Sequence, residues 1–131
     1  MSEKNSIKPL LASVLLEAKN LSHNFDYELF KNINLSLAKK ESIAIIGTSG
    51  SGKSTLLNIL SSLLKPTNGN VVFQSKDLYS LKQNELLKIR RDDFGIVFQA
   101  HYLFRGFSAL ENLNIATLLS HQDIDYKLLD D

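Results

Sequence analysis

The sequence predicts an α/β chain, on three observations. A short apolar run, Ile43-Ala44-Ile45-Ile46, leads through a glycine-rich loop into Leu56-Leu57-Asn58-Ile59-Leu60, whose apolar residues recur at helical spacing. Two stretches upstream, Ser13–Lys19 and Phe30–Leu37, read as strands of an antiparallel sheet. A second strongly apolar run, Phe94-Gly95-Ile96-Val97-Phe98, reads as another buried strand.

Taken in order, the first residues are polar, and the first strand carries Val14, Leu15 and Leu16. Leu21 to Glu28 is expected to be a polar and aromatic turn. The strand after it alternates Ile33, Leu35 and Leu37 with polar residues. Lys39-Lys40-Glu41 is a turn into the apolar run at Ile43. Behind the first helix, Lys65-Pro66-Thr67-Asn68-Gly69-Asn70 is a strong turn signal, followed by a short strand, Val71-Val72-Phe73. Leu81 to Arg91 reads as a helix, with Lys82, Lys88, Arg90 and Arg91 on a solvated or partner-binding face. Ala100 to Phe107 is an aromatic loop. Ser108-Ala109-Leu110-Glu111 is a capping box that starts a helix running to about Leu119. Tyr126, Leu128 and Leu129 open a further helical stretch.

The glycine loop is Gly47-Thr48-Ser49-Gly50-Ser51-Gly52-Lys53-Ser54-Thr55, which satisfies G-x-x-x-x-G-K-[ST] at every fixed position. Its glycines let the main chain turn its N–H groups around a phosphate. The following helix presents unpaired N–H groups and a positive dipole end to the same anion. Lys53 reaches the β- and γ-phosphate oxygens, Ser54 is placed to ligate Mg²⁺, and Thr55 sits beside the α-phosphate. The loop, with strand before and helix after, makes this a P-loop nucleotide-binding core.

Composition removes other classes. With 15 Lys and Arg against 14 Asp and Glu, the net charge of +1 gives no support to a general nucleic-acid surface. The absence of cysteine excludes disulfides and thiolate metal sites. His23, His101 and His121 form no metal-ligand spacing. No apolar run has the length of a bilayer span, and the run Leu10–Leu16, flanked by Glu3 and Glu17, fits a first strand better than a signal segment.

Beyond the loop, the stretches Gly47–Asn58, Pro66-Thr67-Asn68-Gly69, Phe94–His101 and Phe107–Asn112 follow one another in a specific order. Together they resemble the ATP-binding subunit of ATP-binding cassette (ABC) transporters over about Val14 to Leu119. The branch of lipoprotein-releasing and MacB-type exporter ATPases is the most similar. The resemblance implies the N-terminal portion of a P-loop NTPase (ABC ATPase) core, with an antiparallel β subdomain and the start of the helical subdomain. Its division would be a tail over 1–12, an ATP-binding core over 13–98 with the loop at 47–55, and 99–131 as the Q-loop and the beginning of the helical subdomain. It implies ATP and Mg²⁺ as cofactors, with Gly47, Thr48, Ser49, Gly50, Ser51, Gly52, Lys53, Ser54 and Thr55 on the triphosphate. Lys53 and Gln99 would serve catalysis, and Ser54 and Gln99 the metal. Phe25 falls where the family stacks an aromatic under the adenine; Tyr27 is a rival, and a core role for Phe25 the plainer alternative. His101–Asn112 would dock a transmembrane permease subunit, with Tyr102, Phe104 and Phe107 as either contact residues or a small satellite core. The intact protein would form a head-to-tail dimer, without nucleic acid, on the cytoplasmic face of the inner (plasma) membrane.

Departures from the family pattern shape the expectation. The signature L-S-G-G-Q, the apolar strand ending in Asp-Glu and the switch histidine do not occur in these 131 residues. Leu128-Leu129-Asp130-Asp131 only imitates that strand's end. Arg105 stands where the branch usually has proline, and Ser61-Ser62 where it often has glycines. The chain is therefore expected to be the front part of a longer ATPase and not hydrolytic alone. Without the acidic strand, Ile43–Ile46 and Phe94–Phe98 are expected to lack neighbours and leave apolar edges open. Two other readings stay open. One is a small P-loop kinase, against which stand the late position of the loop and the lack of an arginine-rich lid. The other is a vestigial or regulatory nucleotide-binding module.

Overall fold

The computed structural model describes residues 14–100 and 102–120, with side chains described as far as 115. The expected tail over 1–12, His101, and the helical stretch and acidic run from Tyr126 to Asp131 lie outside the described residues. The chain divides after Lys82 into two compact units, Met1–Lys82 and Gln83–Asp131.

The first unit is built on an antiparallel sheet. Strand β1 (Val14–Asn24) pairs with β2 (Glu28–Ala38) on one side and β3 (Asn68–Phe73) on the other, and β4 (Lys76–Asp77) closes the order β2-β1-β3-β4. Leu16 and Ala18 of β1 alternate inward, as a period of two requires. Val71 and Phe73 of β3 and Leu56, Ile59 and Leu60 of helix α1 (Lys53–Leu60) are buried with them.

Strand β1 runs further than the sequence predicts. Asn20 takes a positive φ of 50°, and the ladder shifts register between Ala18 and Leu21 on one side and Lys19 and Ser22 on the other. Beyond that irregularity Leu21, Ser22 and His23 are all buried, so the strand continues where a turn was expected. The hairpin tip shrinks to Phe25–Tyr27, where the Phe25 N–H donates to the Tyr27 carbonyl (3.0 Å). Gly69 faces the same irregularity at φ +84°. A Cβ there would lie 2.4 Å from the Lys19 carbonyl oxygen and 2.5 Å from that of Asn20.

The C-terminus of α1 explains Ser61-Ser62. Ser62 sits in the left-handed region at φ +64°, its N–H donates to the Ile59 carbonyl (3.0 Å), and the Leu63 N–H donates to the Asn58 carbonyl (2.8 Å). This is the 6→1, 5→2 pair of a Schellman ending, with serine at the position that favours glycine. The Tyr79 hydroxyl, from a 3₁₀ turn at Leu78–Ser80, lies 2.5 Å from the Ile59 carbonyl oxygen and 2.6 Å from that of Leu64. It fastens the end of the helix to the edge of the sheet.

The run Ile43–Ile46 is not a strand. Ile46 is 90% exposed, and the backbone over 41–48 is irregular. Among the described residues it finds no ladder partner, and an isolated extended segment cannot satisfy its own N–H and C=O groups. The second unit repeats the finding. Helices α2 (Gln83–Asp92) and α3 (Ala109–Ser120) form, the first starting two residues later than the pattern at Leu81 suggests. Between them Phe94–Phe98 is irregular, with Val97 96% exposed. Both runs have the composition of buried strands, yet neither forms one. No helix among the described residues is long and apolar enough to cross a membrane.

Candidate functional site

The glycine loop belongs to the first unit. Gly50 and Gly52 hold positive φ (79° and 87°), and Gly52 is the residue before α1. At Gly52 two demands coincide. Besides the φ, a Cβ would come within 2.8 Å of Leu29 Cγ and 3.0 Å of Phe30 Cδ1, so the loop lies directly against the side chains of β2. No side chain caps the N-terminus of α1, and its first turn holds no acid. The first N–H groups of the helix and its dipole therefore face outward unopposed.

Lys53 folds its ammonium over this loop. Its Nζ donates to the carbonyls of Thr48 (2.7 Å) and Gly47 (3.1 Å). The Lys53 ammonium and an uncapped helix N-terminus thus belong to the same loop. That set fits a polyphosphate, with positive charge and no acidic residue in the first turn of the helix. No cluster of three or more His, Asp or Glu among the described residues is placed to hold a metal ion. A cation at the loop would take its oxygens from phosphate and from the exposed Ser54 hydroxyl, the ligation Mg²⁺ favours.

The remaining candidates are distributed. Phe25 and Tyr27 share the first unit with the loop, at the hairpin tip, 56% and 64% exposed. Phe25 makes an edge contact with His23 (ring centroids 4.7 Å, 86° between planes), so it is not a core residue. Gln99 lies in the second unit, exposed at the end of the irregular run.

In the second unit the aromatic segment is ordered by Asn112, the last residue of the Phe107–Asn112 stretch. Asn112 Nδ2 donates to the carbonyls of Ser108 (3.0 Å), Phe107 (3.3 Å) and Phe104 (3.4 Å), while its Oδ1 accepts from the Phe104 N–H (2.8 Å). Phe104 and Phe107 stack at 5.9 Å, and Phe98 meets Tyr102 edge-on at 5.2 Å. An open groove of about 520 Å³ runs beside them, lined by Leu103, Phe104, Phe107 and Leu113 with Arg105 among them.

The capping box forms as predicted. The Ser108 N–H (2.7 Å) and hydroxyl (2.8 Å) donate to Glu111 Oε2, and the Glu111 N–H reaches Ser108 Oγ at 3.3 Å. These bonds, that from the backbone N–H first, hold the Glu111 carboxyl below the usual glutamate value. A depressed folded value means that the contribution is present above the unfolded value and is lost as pH falls through the folded one. An NMR titration should place the Glu111 midpoint below that of an exposed glutamate, with Ser108 amide protection lost on acidification through it. Glu111→Gln should abolish that pH dependence; an unshifted midpoint would contradict the box.

Comparison with known proteins follows the same lines. The family described as ABC transporter matches residues 30–130. The lipoprotein-releasing system ATP-binding protein LolD of Wigglesworthia glossinidia brevipalpis is 39% identical over 127 residues, covering 88% of this chain and 56% of that protein. The macrolide export ATP-binding/permease protein MacB of Shewanella sp. (strain ANA-3) is 41% identical over 95 residues, 72% of this chain and 14% of that one. Among solved structures, the ATP-binding cassette MJ0796, a dimer in a post-hydrolysis state bound to ADP and Pi, superposes with a TM-score of 0.75 at 36% identity, over 84% of this chain and 50% of that one. The chain spans about half the length of the lipoprotein-releasing relatives it matches.

Proposed function

The chain belongs to the ABC transporter family, and from that premise we propose that it is the phosphate-loop part of a transporter ATPase of the lipoprotein-releasing or exporter kind. The observation that carries this reading is the set of donors at the loop: the Lys53 ammonium over the Gly47 and Thr48 carbonyls, ahead of an uncapped helix N-terminus. Gly47 to Thr55 bind the triphosphate of ATP, and the Ser54 hydroxyl contributes to Mg²⁺. Phe25 lies under the adenine, a role its half-bared ring suits better than a place in the core. Gln99 serves the metal ion and the water around it through its side-chain amide.

In the whole protein two copies would pair head to tail around ATP. The aromatic segment ordered by Asn112 would receive a transmembrane subunit at the cytoplasmic face of the inner membrane, where the protein is peripheral. The cargo would be a lipoprotein or an exported hydrophobic compound. The organisation that goes with this reading is an ATP-binding core over 13–98 and the beginning of a helical subdomain over 99–131.

The test is titration of the full chain with a fluorescent ATP analogue in the presence of Mg²⁺. Saturable binding that unlabelled ATP competes away is expected, with no phosphoryl transfer to nucleoside monophosphates. Absence of saturable binding would overturn the reading, and transfer to a small acceptor would replace it with a kinase.

A further inference from the structure

We propose that His23 is a positioning residue that fixes the Phe25 ring at a set reach from the phosphate loop, and so determines how much of the nucleotide affinity comes from the base. This rests on the reading of Phe25 as the base-stacking ring. His23 is only 6% exposed, and both of its ring nitrogens are buried without a hydrogen-bond partner. Unpaired polar atoms in an apolar site are destabilising, so packing alone does not explain a histidine here; an aliphatic side chain of similar volume would fill the slot without them.

Its neighbours supply the explanation. On one side its ring meets Phe25 nearly perpendicular, with centroids 4.7 Å apart. On the other, 6.3 Å away, is Phe30, its ladder partner on β2. Phe30 and Leu29 are the side chains against which Gly52 rests. Within one compact unit the contacts therefore run from the phosphate loop at Gly52, through Phe30 and His23, to Phe25 at the hairpin tip. Among the described residues, His23 is the only aromatic ring in contact with Phe25. An edge contact orients a ring while leaving a face bare, and Phe25 is 56% exposed. Tyr27 is more exposed still, at 64%.

The consequence is a separation of base from phosphate. The experiment compares the affinities of the full chain for ATP and for inorganic triphosphate, in the wild type and in His23→Leu, His23→Phe and Phe25→Ala. Leucine fills the site but offers no ring. In H23L the affinity for ATP should fall about three- to tenfold, the range of an aromatic pair contact, with triphosphate affinity unchanged. H23F, which restores a ring, should recover most of the loss. His23→Gln, which also lacks a ring, is measured beside H23L so that the result does not hang on the folding of one variant. An unaltered ratio of ATP to triphosphate affinity in the ringless variants, alongside a lowered ratio in F25A, would overturn the role of His23 alone. An equal loss for both ligands would overturn it too, because a general structural defect predicts that. A ratio unmoved in F25A would remove the base-stacking reading and this proposal together.

Discussion

Lys53→Met is expected to weaken binding of ATP and of inorganic triphosphate alike, by about 100-fold. The ammonium lies on the loop carbonyls of Gly47 and Thr48, at the start of α1. One charge-assisted hydrogen bond to phosphate, contributing about 1.5–3 kcal/mol, accounts for a loss of that order. The stability of the fold should change little, because the same ammonium is solvent-accessible and its bonds to the loop are weakened by water. Calorimetric titration decides the matter, with thermal melting as the control. A loss below about threefold would mean that the triphosphate is held elsewhere. The pattern is also distinct from that of His23, where ATP alone should weaken.

Gly69→Ala should be the most damaging small substitution in the first unit, lowering stability by about 3 kcal/mol. Two costs add. The residue must hold φ +84°, and its new methyl would stand 2.4 Å and 2.5 Å from two backbone oxygens of β1. Backbone cannot swing away as a flexible side chain can, so relief requires β1 and β3 to part where the ladder already shifts register. Asparagine tolerates positive φ but carries the same Cβ, so Gly69→Asn should be nearly as costly. Urea denaturation would measure both. A loss under about 1 kcal/mol in G69A would mean that the two strands are free to adjust there.

The parts of the fold that were readable in the sequence are those governed by local chemistry. The loop, α1, the Ser108–Glu111 box and the positions of β1, β2 and β3 all carry their cause within a few residues. The β3–β4 hairpin does not. Its two-residue turn uses Gln74 and Ser75 at φ +46° and +66°, a conformation normally announced by Asn-Gly or Asp-Gly. The extension of β1 depends on Asn20 at φ +50°, which looks like any polar strand residue. Ile43–Ile46 and Phe94–Phe98 teach a different lesson. Apolar composition gives a segment the capacity to be a strand, but a strand is completed only by a neighbour that accepts its hydrogen bonds. At the candidate site, the motif marks Gly47 to Thr55 directly in the sequence. The contact of His23 with Phe25, and the bonds of Asn112 to the carbonyls of Phe104, Phe107 and Ser108, join residues whose pairing no local pattern announces.

Helix α1 has two unlike ends. Its C-terminus is closed by Ser62 and Tyr79, whereas its N-terminus has neither a capping side chain nor an acid in its first turn. Eight residues do not make a self-sufficient helix in water. An anion bound at that end becomes in effect its cap, and its binding free energy passes into the folding of the unit, about 2.7 kcal/mol at a hundredfold excess over Kd. Folding and occupancy there form a single linked equilibrium. The resistance of such a unit to unfolding and proteolysis would then rise with the concentration of the anion it binds.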